Sequence, residues 1–124
     1  MIIITGSAQL RPEHRDHALA LGIEHSARSR TEPGCVAHNC HIDAENAQRI
    51  VFVEEWADMA AVKAHFAVPA SGEFVRRLSA MAVGAPVMRI FAAEEVGGLE
   101  KSTDNLTQPR PSGACRRIVL PLVA

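Results

Sequence analysis

Trp56 and His65, nine positions apart, bracket the one stretch of this chain that pairs an aromatic wall with a group able to move a proton near neutral pH. An imidazole near its ordinary pKa of about 6.5 can take a phenolic or benzylic proton. An indole N–H can donate to the oxyanion left behind. Glu54 shares a strand face with Phe52 and Trp56, and a carboxylate there must be paired, hydrated or functional, because burying it alone is expensive. Arg89 on a later strand is its expected ion-pair partner, or else a stabiliser of an anionic intermediate. Phe52 is a candidate substrate-contacting wall, and Asn39 a candidate hydrogen-bond donor into the same pocket.

Each has a plainer structural reading. His65 would cap a carbonyl or border Phe66, Trp56 would fill the core at a strand end, and Asn39 would be an edge-strand polar residue. The remaining histidines look less like chemistry. His38 and Cys40 share one face of their strand while Asn39 and His41 share the other, so His38 and His41 diverge and make a poor metal site. His14 and His17 sit beside Arg15 and Asp16 at a helix start, a solvated face. No Gly-rich phosphate loop, Ser-His-Asp set or C-x-x-C cluster is present, so no metal or cofactor is expected.

These residues are positioned by a recognisable run of elements. Ile2 to Leu10 reads as a strand, and Pro12, Glu13 and Asp16 suit the start of a helix. Leu19, Gly22, Ile23, Ser26 and Ala27 form a small-residue stripe along it, able to lie close to a sheet. Glu32-Pro33-Gly34 stops that helix. Gly34 to Ile42 and Gln48 to Trp56 read as strands joined by Asp43-Ala44-Glu45-Asn46, a hairpin and hence antiparallel. Asp58 is a ready N-cap for a helix striped by Met59, Val62 and Phe66. Phe74, Leu78 and Met81 mark another helix, and Val87 to Val96 a fourth strand. The order β-α-β-β-α-α-β is ferredoxin-like, an α+β fold with an antiparallel sheet. Its helices cover one face, and both faces of the third strand are substantially apolar. The uncovered face calls for a partner, most simply a second copy, so a homodimer is expected.

At 124 residues with a formal charge of −1, the chain is one domain without a generic basic surface for nucleic acid. Residues 1–97 carry 9 Lys+Arg against 12 Asp+Glu, net −3, and residues 98–124 carry 4 against 2, net +2. The first range is the expected domain. The second reads as a flexible tail, polar and Pro/Gly-bearing over 101–113, ending in an apolar hexamer, Ile118 to Val123, that could dock or swap. Cys35, Cys40 and Cys115 are sparse. The first two, five apart on one strand, should point to opposite faces, which fits free thiols. No stretch reaches the ~18 apolar residues of a membrane helix, and the N-terminus lacks a leader's basic start. A cytoplasmic protein without membrane partners is expected.

Glu32-Pro33-Gly34-Cys35 opening a strand, Glu54-Glu55-Trp56 closing the next, His65 on the following helix and Gly84-Ala85-Pro86 before the last strand resemble the antibiotic biosynthesis monooxygenase family over residues 1–97. The resemblance implies a dimeric α+β barrel and, in its quinol-monooxygenase-like branch, oxidation of phenols, anthrones or quinols by dioxygen without metal or flavin. His65 would be the base, Trp56 the wall and donor. Quinol-oxidising relatives carry a second histidine five residues on, where this chain has Ala70. The haem-degrading branch uses an asparagine on the first strand and a late-helix histidine; Thr5 and Ser7 occupy the former region, and Glu73 to Ala82 holds no histidine. The chain has no tyrosine, so no phenolic side chain can donate a proton. A non-catalytic dimeric small-ligand-binding module, and a cofactor-free isomerase or lyase, also fit.

Overall fold

The computed structural model describes residues 1–100 and 118–121 and divides into two units, Met1–Ala93 and Glu94–Ala124. The first contains β1 (Ile2–Gln9), a 3-10 turn (Pro12–His14), α1 (Arg15–Ser29), β2 (Cys35–Asp43), β3 (Asn46–Trp56), α2 (Met59–Ala67), α3 (Pro69–Met81) and β4 (Val87–Ala92). The strands form one sheet in the order β2-β3-β1-β4, with every neighbouring pair antiparallel. This is the α+β, ferredoxin-like arrangement expected. The hairpin is tighter than the four-residue turn read from sequence: Asp43 pairs directly with Asn46. In the second unit, β5 (Gly97–Glu100) pairs in parallel with β6 (Ile118–Pro121). The expected strand from Val87 to Val96 therefore stops at Ala92. The linker expected over 101–113, and Leu122 and Val123 of the hexamer, lie outside the described residues. No helix among the described residues is long and apolar enough to cross a membrane.

Register decides which residues meet the helices. His38, Glu54, Ile4 and Ile90 form one row across the four strands; Asn39, Val53, Thr5 and Arg89 form the next, on the other face. The first face is covered. Ile4 and Trp56 are fully buried there with Ile2 and Val62, while Ile50, Phe52, Leu10, Phe74, Leu78 and Met81 pack beside them. On the second face Val53, Val87 and Phe91 remain exposed.

The helical stripes differ from those read in the sequence. On α1 the buried set is Ala18, Gly22, His25, Ser26 and Ser29, whereas Ile23 is 55% exposed. A Cβ on Gly22 would stand 2.7 Å from Cys40 Sγ and 3.0 Å from Phe52 Cζ, so the missing side chain is what lets α1 lie this close to the sheet. On α2 the buried residues are Val62 and His65, with Met59 and Phe66 exposed. Asp58 caps α2 by accepting from the Ala61 N–H at 2.9 Å. Val68 ends α2, and Pro69 opens α3 at a position that needs no N–H donor.

A bulge at the start of β2 corrects the cysteine expectation. The register shifts between Cys35 and Ala37, leaving Val36 exposed. That inserted residue flips the parity, so Cys35, opposite Trp56, and Cys40, opposite Phe52, face the helices together. Both are free thiols. Burial pushes Cys40 up to about 11 and, with Glu32 and Glu54 nearby, raises Cys35 as well, so neither is poised as a nucleophile.

Candidate functional site

Three elements converge on a cluster of buried histidines: His25 from α1, His38 from β2 and His65 from α2. One ring nitrogen of each lies within 4.8 Å of one from each of the others. Each Nδ1 is held by a different partner. His65 Nδ1 is 3.1 Å from both carboxylate oxygens of Glu32, so it donates and leaves Nε2 free to take a proton. His38 Nδ1 is 2.8 Å from Ser26 Oγ. His25 Nδ1 accepts from Arg28 Nη2 at 2.7 Å, because a guanidinium can only donate.

Local structure explains how Glu32 arrives. Gly34 adopts a φ of +82°, and a Cβ on it would lie 2.5 Å from Ala61 Cβ. Only glycine suits a turn in that conformation pressed against α2. Its carbonyl accepts from Ala57 N–H at 2.8 Å, which pins the turn, with Glu32 two residues back, beside His65.

Glu54 does not meet Arg89, as the sequence reading had it; adjacent strand rows place them on opposite faces of the sheet. Instead Trp56 Nε1 donates to Glu54 Oε2 at 2.8 Å. His38 Nε2 lies 3.4 Å from Oε1, near enough for charges to interact but out of line for a hydrogen bond. Burial pushes the Glu54 carboxyl up, but His38 and the indole N–H outweigh it and hold the group below its ordinary value. His25 moves the other way for a base. Burial, then the neighbouring His38, Arg28 and His65, carry it from 6.5 down to about 3, so it is neutral at pH 7.

His25 and His65 of the cluster line a cavity of about 530 Å³, with His38 buried behind them. Its apolar lining includes Phe52, Phe74, Leu78 and Met88; His25, Glu54, His65 and Ser71 supply the polar groups. Gly6 of β1 lies between Phe52 and Met88 in the sheet and leaves the floor open. Trp56 stands behind His65, ring centroids 4.6 Å apart, and is fully buried without lining the cavity. The space and its mostly apolar walls match a small aromatic molecule.

Three imidazoles are a conceivable metal-ligand set, but the donor pattern fits a cation poorly. A ligating histidine normally donates its second N–H to an acceptor. Arg28 presents a donor and a positive charge to His25, so the remaining His25 nitrogen carries the proton and cannot coordinate.

Of the residues singled out from sequence, the fold brings together His65, Trp56, Glu54 and Phe52. Asn39 and Arg89 lie on the bare face, where Arg89 sits 5.1 Å over the Phe91 ring. Within this chain they do not reach the cavity, because each is one residue out of phase with the covered row. Sequence reasoning missed His25, Ser26, Arg28 and Glu32, and set His38 aside by judging it only against His41. A faint signal was available for His25: it falls at i+3 from Gly22, on the small-residue face.

The antibiotic biosynthesis monooxygenase family model matches residues 1–77, more than half of the chain. The chain belongs to the antibiotic biosynthesis monooxygenase family. A crystal structure of an antibiotic biosynthesis monooxygenase superposes with a TM-score of 0.70 at 28% identity, over 76% of this chain and 99% of that one. A Deinococcus radiodurans structure, described as a candidate antibiotic biosynthesis monooxygenase, gives 0.73 at 23% identity over 77% and 94%; at that identity the likeness concerns the fold. The uncharacterised protein sll1783 of Synechocystis is 30% identical over 76 residues, 61% of this chain. The chain spans about half the length of that curated relative, 52% of it. Membership of the antibiotic biosynthesis monooxygenase family supports a general monooxygenase-like role, and the matched range contains all three clustered histidines together with Glu32, Glu54 and Trp56.

Proposed function

We propose that this domain oxidises an electron-rich aromatic of the quinol or anthrone type with dioxygen and without a cofactor, working as a homodimer closed across the bare sheet face. The observation that carries the reading is the Glu32–His65 pair on the wall of an apolar cavity. Glu32 holds one imidazole nitrogen as a donor, which leaves the other as a base. Phe52 and Phe74 flank the space in which a ring would lie, and Trp56 backs His65.

The chemistry closes on substrate and oxygen alone. His65 takes a phenolic or benzylic proton, and the resulting anion passes one electron to dioxygen. The radical and superoxide then join, the peroxide takes the proton back from His65, and loss of water with the remaining substrate hydrogen leaves the ring oxidised. One oxygen atom enters the product, the other leaves as water, and all four electrons come from the substrate. Glu54 is held as an anion and Trp56 is occupied by it, so Trp56 acts by positioning Glu54 and backing His65 rather than as a free donor to substrate. Ala70, where the family resemblance leads one to look for a second histidine, is exposed; the imidazoles nearest His65 are His25 and His38.

The test is oxygen consumption by purified, metal-free protein with a panel of hydroquinones and anthrones. His65→Ala is expected to lower turnover by ~10²–10⁴. Gly6→Val, which raises a side chain from the cavity floor, is expected to abolish activity while leaving the far-UV circular dichroism unchanged. Full activity in folded His65→Ala protein would remove the base from the mechanism. Absence of uptake across the panel would favour a binding module.

A further inference from the structure

The two histidines on the cavity wall are wired oppositely, and the wiring assigns them opposite tasks. His65 gives its Nδ1 proton to a carboxylate and keeps an unprotonated nitrogen. His25 receives a proton donor at Nδ1 from Arg28, so its own proton must reside on Nε2. Arg28 is fixed in this role. The same Nη2 also donates to buried Ser71 Oγ at 3.1 Å, and among the described residues no carboxylate lies within ion-pairing distance of the guanidinium. Its charge is therefore spent on His25. Phe74 holds the plane of the ring, stacked with centroids 4.1 Å apart and planes 9° from parallel, and the Arg28 donor selects the edge that carries Nδ1.

We propose that His25 is a further catalytic residue, a neutral N–H donor locked in one tautomer by Arg28, and that it receives the phenolate oxygen from which His65 removes the proton. This rests on the phenolic-substrate reading above and adds the group that holds the anion. The spacing of the two rings suits an oxygen shared between them. Their centroids are 5.5 Å apart and one nitrogen of each lies within 4.8 Å of one on the other, inside the roughly 5.6 Å that two hydrogen bonds of about 2.8 Å span. The proton balance is simple: the substrate O–H bond breaks, an N–H bond forms on His65, and the His25 proton stays where it is. A cationic imidazole would give up its proton to the phenolate. A neutral donor strengthens its bond as charge develops. The groups that face His25 support its neutrality: burial dominates, His38, Arg28 and His65 act with it, and only Glu54 opposes. Ser71 and Phe74, its neighbours on α3, do not titrate.

The first test is ¹⁵N NMR of the imidazoles in the full chain. His25 is expected to show a protonated Nε2 and an acceptor Nδ1 from pH 8 to about 4, and Arg28→Met should release it to mixed tautomers titrating nearer 6.5. A wild-type His25 with its proton on Nδ1, or one that titrates near neutrality, overturns the proposal. The second test uses 4-nitrophenol, whose phenolate is read by absorbance without any oxygen chemistry. The bound phenol is expected to ionise at lower pH than the free one. His25→Leu should weaken phenolate binding ~10-fold or more and lower turnover ~10²–10³. His25→Gln, which restores an N–H donor, should recover most of both. No binding of the probe by wild-type protein, or unchanged phenolate binding in folded His25→Leu, overturns the proposal. The two readings fail separately. Phenolate binding without oxygen uptake removes the monooxygenase reading and leaves the donor. Full oxygen uptake in His25→Leu removes the donor and leaves the monooxygenase.

Discussion

Two neighbouring rows cross the same four strands one residue apart. His38, Glu54 and Ile4 lie under the helices, with Ile90 ending their row at the exposed edge strand, while Asn39, Val53, Thr5 and Arg89 lie on the bare face. In type the rows are similar, each pairing nitrogen-bearing or charged side chains with aliphatic ones. Their fates differ because burial forces partners. Under the helices burial presses polar groups to find partners, and Ser26, Glu54, Trp56 and Glu32 tie the site together, with His38 Nε2 and Arg28 Nε left without a hydrogen bond. On the other face Asn39 and Arg89 are exposed in the single chain, where water or a second copy can meet them, and nothing within the chain compels them to acquire chemistry. Function therefore follows coverage more closely than residue type.

The sharpest break of this comparison is a large-to-small change on each face. Trp56→Ala empties a fully buried site and leaves Glu54 without its 2.8 Å donor; a loss of ~3–5 kcal/mol is expected in urea unfolding. Val53→Ala on the bare face should cost well under ~1 kcal/mol if that face is open in solution. If a second copy covers it, Val53→Asp should dissociate the protein in sedimentation experiments and make its thermal midpoint independent of concentration. A Val53→Ala cost approaching that of Trp56→Ala would mean that the two faces do not differ in solution.

Next in size is Gly22→Ala, which sharpens the case for coverage itself. The added methyl would meet Cys40 Sγ and Phe52 Cζ at 2.7 and 3.0 Å. Both are side-chain atoms that can give way in part, so ~1–3 kcal/mol of overpacking is expected. Alanine on an exposed helix position would instead stabilise slightly. A stabilised Gly22→Ala would show that α1 does not press on the sheet.

Acid provides a graded test. His25 falls from 6.5 unfolded to about 3 folded, so between those values the unfolded chain binds the extra proton. Stability is then highest above about pH 6.5 and declines as pH falls towards 3, by up to ~1.4 kcal/mol per pH unit. Glu54, whose folded value is lowered, adds loss in the same direction, beginning nearer the ordinary 4.5 and continuing below it. His25→Phe should flatten the curve between about pH 6.5 and 4.5 and reduce its slope from there to about 3, where Glu54 still contributes. An unchanged curve there would place the acid sensitivity on other groups.

The first four strands, the positions of the turns between them and the order of elements in the first unit were legible because alternation, Pro and Gly act locally, whereas the end of β4 at Ala92 and the β5–β6 pair were not. Glu54, Trp56 and Phe52 were legible too, since period-2 parity on β3 ran undisturbed. The cysteines were not, because the bulge at Val36 changed parity in a way composition does not announce. His25 was hidden for a different reason. A helix stripe is read from apolar residues, and here the buried stripe is Ala18, Gly22, His25, Ser26 and Ser29, mostly small or polar and matched to a site rather than to a core. Glu32 served as a helix stop in the sequence; only the tertiary approach of α2 gives it an imidazole to hold.

The smallest expected effects return to the bare row. Asn39 and Arg89 carry the residue types that sequence reasoning assigned to substrate, yet the sheet separates them from the cavity. Arg89 is exposed and sits 5.1 Å over the Phe91 ring, and surface changes of this kind usually shift stability by about 0.5 kcal/mol or less. Arg89→Ala and Asn39→Ala should therefore alter turnover less than ~2-fold, within the spread expected for residues that touch neither substrate nor its neighbours. His65→Ala measured in parallel supplies the contrast on the same scale. A 10-fold loss in folded Arg89→Ala protein, with no change in association state, would carry the reaction onto the bare face and undo the division between the two rows.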